Sequence, residues 1–289
     1  MLPNKSLDHF LDDFLDGKKG EEKLDVYKRE TVLPVQSERE LWTPPDDGTL
    51  IAIPDKKQLS KRTLVATLVI LVLIPLTIFI GMWIGDRKYL FISMAIIIYT
   101  MIPFAMVFEG RKPQARELII LAVLAAIAVA GRVAFFMLPQ FKPVIAIVII
   151  AGVCFGAESG FLVGAVSMFV SNFFSSQGPW TPWQMFAAGI IGFLAGILFQ
   201  KGRLNMKKLP LCVFGFFSTF FIYGFLLDTA SVFMFQSEVT IRSALPLYFS
   251  GAPFNLIHAC STVFFLFIGA RPLIGKLERI KVKYGLIKN

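Results

Sequence analysis

Apolar residues in this chain gather into long uninterrupted runs separated by short polar segments. Residues 63–85 form a charge-free run of 23, and residues 89–108 a run of 20, parted by Asp86, Arg87 and Lys88. A helix crossing the ~30 Å hydrocarbon core of a bilayer takes about 20 apolar residues, so both runs read as membrane spans. Further runs lie at 118–136, 143–157, 159–174, 184–199, 209–235 and 243–270. Taken as one helix, 143–174 would be about 48 Å long at 1.5 Å per residue, too long for a single crossing. The stretch Gly156-Ala-Glu-Ser-Gly160 suits a turn, so 143–174 reads as a hairpin. The pattern predicts eight spans and an all-α integral membrane protein.

Charge fixes the expected orientation. Residues 1–55 hold 13 of the 20 acids and 7 of the 29 bases; the rest of the chain is strongly basic. With eight spans, 17 of the later bases fall on one side, in the segments around Lys56, Arg111, Lys201 and Arg271 onward, and 5 on the other: Arg87, Lys88, Arg132, Lys142 and Arg242. The positive-inside rule then puts both termini in the cytoplasm of a multi-pass protein of the cell membrane. A net charge of +9 raises nucleic acid as a partner, but the bases sit at the ends of apolar runs and no groove-reading motif is present. The expected environment is a lipid bilayer and no nucleic acid.

The chain divides into three parts. Residues 1–60 are acidic and proline-containing and read as a cytosolic, partly disordered segment. Within it Leu7, Phe10, Leu11, Phe14 and Leu15 follow helical spacing, with Ser6 to cap and Gly17 to end a short amphipathic helix. Residues 61–112 hold the first two spans, and residues 113–289 the remaining six with a basic tail. The first long apolar run begins near Thr63, too late for a cleaved signal.

Candidate chemistry is sparse. Cys154, Cys212 and Cys260 lie in apolar runs without paired spacing, so neither a metal site nor a disulfide framework is expected. No nucleophile with a base and no phosphate-cradling loop is visible, so no catalysis is expected. Gly152, Gly156, Gly160 and Gly164 recur every fourth residue, a signature of close helix packing. Ala122, Ala126 and Ala130 do the same and read either as an internal packing face or as a docking face for another membrane protein.

Four polar residues interrupt the later spans. Arg132 lies about 22 Å along its span from the inner end, and Asp228 sits similarly high. Asn255 is about 15 Å below the outer start of the last span, with His258 a turn deeper on the same face. Intramembrane charges are costly and face an interior or a cavity. Two readings stand: an Arg132–Asp228 ion pair joining helices, and an outward polar pocket, favoured because Asn172, Gln177 and Gln184 fall at the same level. The intervening loop, Ser175-Ser-Gln-Gly-Pro-Trp-Thr-Pro-Trp-Gln-Met185, reads as stiff. Trp180 and Trp183 there are either interfacial anchors or part of a binding surface.

The runs Gly131-Arg-Val-Ala-Phe-Phe-Met-Leu-Pro-Gln-Phe-Lys-Pro143, Ala151-Gly-Val-Cys-Phe-Gly-Ala-Glu-Ser-Gly-Phe-Leu-Val-Gly164 and Ser171 to Met185, with Gly189 and Gly192 behind them, resemble the substrate-binding membrane subunits (S components) of energy-coupling factor (ECF) transporters. The resemblance covers about residues 115–270. It implies a six-helix core that binds a vitamin or other trace nutrient from outside and has no cofactor of its own. It implies docking on a membrane coupling protein and two ATPase subunits, which use the ATP. By position it implies Arg132, Lys142, Asn172, Gln177, Trp180, Trp183, Gln184 and Asn255 as substrate-binding residues, and Ala122, Ala126 and Ala130 as the strip facing the coupling protein. The two extra spans and the N-terminal segment depart from the basic family pattern. The tryptophan-containing loop suits a flat or large ligand; cobalamin, queuosine and pyrimidine precursors are candidates. A self-sufficient secondary transporter, which would need a repeat and midplane carboxylates, and a membrane scaffold are the alternatives.

Overall fold

The computed structural model describes residues 115–200, 202–236 and 240–284, with isolated positions 72, 76 and 95. Those positions apart, the first two expected spans lie outside the described residues, as does the amphipathic segment around Leu7. Six helices follow in chain order, with no strand among the described residues: α1 Ala115–Ala134, α2 Val144–Phe155, α3 Ala157–Ser175, α4 Thr181–Gln200, α5 Lys208–Phe235 and α6 Ile241–Lys283.

All but α2 are long and apolar enough to cross a membrane. The bundle is inverted relative to a water-soluble protein. Phe217, Phe221, Phe225, Phe249, Phe254 and Phe267 are each more than half exposed, while Arg132, Asn172, Thr219, His258 and Thr262 are buried. So broad an apolar exterior is compatible with lipid and not with water.

The expected hairpin forms at Gly156, whose φ of 101° lies in the left-handed region that favours glycine. It turns the chain from α2 directly into α3. The span expected at 143–157 is, however, only 12 helical residues, about 18 Å. Every one of those residues is buried. A helix apolar on all sides belongs inside a bundle, and α2 is enclosed by α1, α3, α4 and α6.

The glycine repeat accounts for the closeness of this packing. Gly152 and Gly160 meet Gly192, and Gly164 meets the backbone of Ala188 and Gly189. Side chains there would hold α2 and α3 off α4.

Three helices are irregular, α4 ending in a π-helical turn over Gly196–Gln200. α5 widens into a π-helical turn over Ser218–Gly224, where buried Thr219 donates to Thr262 Oγ1 of α6 at 3.2 Å. Such turns recur at functional sites. α6 runs for 43 residues through Pro246, Pro253 and Pro272, about 64 Å. Thr240 and Ser243 cap its start reciprocally. The last span, expected to end at 270, therefore continues as helix through most of the basic tail. It is fastened there: Lys281 Nζ donates to the Cys154 carbonyl at the end of α2, at 2.7 Å, and to Glu278 Oε1 at 2.8 Å.

Candidate functional site

The polar interior is organised around Arg132, in the last turn of α1. Its Nη1 donates to Ser171 Oγ, to Asn172 Oδ1 at 2.8 Å and weakly to Met168 Sδ at 3.5 Å. Nη2 reaches Gln184 Oε1 at 3.4 Å. Met168, Ser171 and Asn172 line one face of α3 at helical spacing, which is why a single guanidinium meets all three. Asn172 Nδ2 in turn donates to Gln184 Oε1 at 2.9 Å and to Thr181 Oγ1 at 2.8 Å.

Thr181 ties this network to the α3–α4 connection. Its hydroxyl donates to Gln177 Oε1 at 2.9 Å, while Gln177 Nε2 donates to the Phe169 carbonyl at 3.0 Å. The Gly178 and Thr181 backbones close a tight turn, and the half-buried Trp180 ring lies against Gly178. The loop is held at Gln177, which bridges the α3 backbone and Thr181 at the start of α4.

Four of the eight residues expected at the site, Arg132, Asn172, Gln177 and Gln184, thus share one hydrogen-bonded network. Lys142 lies in the α1–α2 connection, half-buried; burial and the neighbouring Arg132 both hold its ammonium below the usual lysine range. Trp183 is 1% exposed and stacked on Phe233 at 6.0 Å between ring centroids, so its ring is part of the core. Asn255 stands apart in a pair of its own, donating to Asp228 Oδ2 at 2.8 Å. The Arg132–Asp228 ion pair is not formed: the guanidinium goes to Ser171, Asn172 and Gln184, and the carboxylate to Asn255.

Met168, Ser171, Thr181 and Tyr223 are network members that sequence reasoning passed over. Ser171 adjoins Asn172, and Met168 and Thr181 sit one turn from Asn172 and Gln184, so helical spacing was an available signal. Tyr223 had none in its own sequence context. The π-helical turn of α5 brings its hydroxyl to Met168 Sδ at 3.9 Å and its ring edge-on to His258, 4.9 Å between centroids.

Ala122, Ala126 and Ala130 lie with Ile119, Val123 and Ile127 on the exposed face of α1, opposite Leu121, Leu124, Ala125, Ala128 and Arg132. They are not an internal packing face of the described bundle.

Among the described residues no group of His, Cys, Asp or Glu is placed to hold a metal ion.

A lipid-facing bundle enclosing a cation-centred polar network, with three exposed alanines on α1, defines the class of a multi-pass membrane protein with an internal polar site. The particular family follows from comparison. The model of the family described as "ECF-type riboflavin transporter, S component" matches residues 112–279, more than half of the chain, and the protein belongs to this family. Relatives include a "UPF0397 protein" of Vibrio atlanticus, 30% identical over 118 residues, 38% of this chain and 64% of the relative. A UPF0397 protein of Aliivibrio fischeri is 31% identical over 124 residues, 38% and 67% of the two chains. Another, of Aliivibrio salmonicida, is 27% identical over 180 residues, 58% of this chain and 93% of its own length. The chain thus spans a little under two thirds of the first of these relatives. No solved structure matches it. The family description names riboflavin and lends no support to cobalamin, which is not carried forward.

Proposed function

We propose that the protein is the substrate-specific membrane subunit of an ECF-type uptake transporter. It binds a vitamin-class nutrient from outside and docks on a coupling protein with two ATPases, which hydrolyse the ATP. The reading rests on family membership together with one observation: the buried network centred on Arg132, joining α1, α3, α4 and the α3–α4 loop within an apolar exterior. Interior charge is costly in a membrane protein and is retained where it serves a pathway or a ligand.

Ala122, Ala126 and Ala130 form the docking face. What supports this is their exposure on α1, directly behind the helix face that carries Arg132. Small side chains there would let a partner helix approach closely. The charge distribution supports cytoplasmic termini, with the Arg132 network in the outer half of the membrane. Substrate contacts are assigned to Arg132, Lys142, Asn172, Gln177, Trp180 and Gln184, with Asn255 at the edge. Trp183 supports the site from within the core.

The test is reconstitution. Proteoliposomes containing this chain, a coupling protein and both ATPases should take up a labelled nutrient only with internal or external ATP available to the ATPases. Riboflavin, named in the family description, heads the panel. Uptake by this chain alone under a proton or sodium gradient would refute the proposal in favour of a secondary transporter.

A further inference from the structure

Arg132 is 8% exposed, and each acceptor its guanidinium reaches is neutral: Ser171, Asn172, Gln184 and Met168. A charge withdrawn from water is ordinarily met by an opposite charge. Among the described residues no carboxylate does this. Asp228 accepts from Asn255. Glu117 opens α1, about 22 Å from Arg132 along the helix, and accepts from Ser159 there. Glu158 lies in the first turn of α3, away from Asn172 near that helix's other end. Glu278 is held by Lys281 beside the end of α2.

A second cation and an open polar atom adjoin the same centre. Lys142 forms no ion pair among the described residues, and its carbonyl accepts from Ser261 Oγ at 3.1 Å, one turn beyond His258 on α6. His258 is 4% exposed, and its Nε2 has no hydrogen-bond partner. Its ring packs on Tyr223, whose hydroxyl shares the Met168 sulfur with Arg132. Two cations that meet no carboxylate among the described residues thus lie on segments packed beside a buried imidazole nitrogen that has no partner there.

We propose that this centre takes an anionic group: the nutrient carries a carboxylate or phosphate, neutralised by Arg132 and Lys142, with His258 Nε2–H completing its hydrogen bonds. The inference rests on the reading of this network as the nutrient site and narrows the class of nutrient. Charge-assisted bonds of this kind are the strong ones, and they are absent from a neutral analogue of the same shape.

The experiment uses the full chain purified in detergent and calorimetric titration with matched pairs: riboflavin 5′-phosphate against riboflavin, nicotinate against nicotinamide, and pantothenate against pantothenol. The carboxylate and phosphate pairs distinguish the two sources of negative oxygen. In the pair that binds, the anionic member should be tighter by about tenfold or more. Arg132→Gln should bring the ratio within that pair close to one. Lys142→Met, at a half-exposed loop position, should lower the ratio as well, and serves if Arg132→Gln does not fold. A neutral member that binds as tightly as its anionic partner overturns the inference while leaving the nutrient-binding subunit standing. An unchanged ratio in Lys142→Met and Arg132→Gln also overturns it. Failure of every compound in the panel to bind counts against both.

Discussion

Gly164→Ala tests the packing that holds the site helices together. A β-carbon on Gly164 would lie 2.7 Å from both the carbonyl carbon and oxygen of Ala188, and 2.8 Å from the Gly189 nitrogen. Ordinary carbon contacts sit near ~3.5–4.0 Å, and none of these three atoms belongs to a side chain that can rotate away. α3 and α4 must therefore part by about 1 Å, which forfeits a quarter to a half of the dispersion along the opened contact. Overpacking of this kind costs about 1–3 kcal/mol, and three simultaneous backbone contacts place it at the upper end. The better helix propensity of alanine returns up to about 1 kcal/mol. The net loss is about 2 kcal/mol, or a fall of roughly 4–8 °C in Tm for a region of this size. The assay is thermal unfolding in detergent, with Gly269→Ala as control, because a β-carbon on Gly269 meets nothing within 4 Å. The control should match or exceed the parent in stability. If Gly164→Ala melts no lower than Gly269→Ala, the four-residue glycine repeat is not a packing device and the reasoning fails.

Three further outcomes are expected. Ala126→Trp should abolish ATP-driven uptake with the reconstituted module while titrations show nutrient binding retained; surviving uptake would move the docking face elsewhere. Trp183→Ala removes a buried ring stacked on Phe233 and should destabilise the ligand-free protein by about 3–5 kcal/mol, read as a lowered Tm, with any loss of affinity secondary to that. Lys281→Met leaves Glu278, 3% exposed, without its cation and should cost about 3–5 kcal/mol; Lys281→Met with Glu278→Leu should recover most of it, and a double-mutant cycle showing no coupling would contradict the clamp.

The hairpin at Gly156 was legible because length, charge and glycine content agreed on it, and a φ near 101° favours glycine. The convergence of Arg132, Asn172, Gln177 and Gln184 was legible from depth alone: residues at one level of neighbouring helices meet. The fate of Asp228 was not. Depth brought it near Arg132, but pairing depends on helix rotation, and α5 turns Asp228 toward Asn255 after a π-helical segment that sequence patterning does not announce. Trp183 misled for a related reason. Tryptophan beside a predicted outer loop suggests an interfacial ring, yet Trp183 falls inside α4, where it points into the core. The length of α6 was hidden because hydropathy falls at Arg271 while the helix persists, held by the Lys281 bonds to Glu278 and to the end of α2. Pro272 lies within that continuation, a local signal against helix overridden by these contacts.

Substrate binding is the central claim, and native mass spectrometry of the full chain in detergent tests it most directly, first as purified and then after incubation with the nutrient panel. The account predicts a one-to-one complex with a vitamin-sized molecule that dissociates on denaturation and is weakened in Asn172→Leu. A protein that holds no small molecule in either preparation, or that holds one equally well after Asn172→Leu and Arg132→Gln, would contradict it.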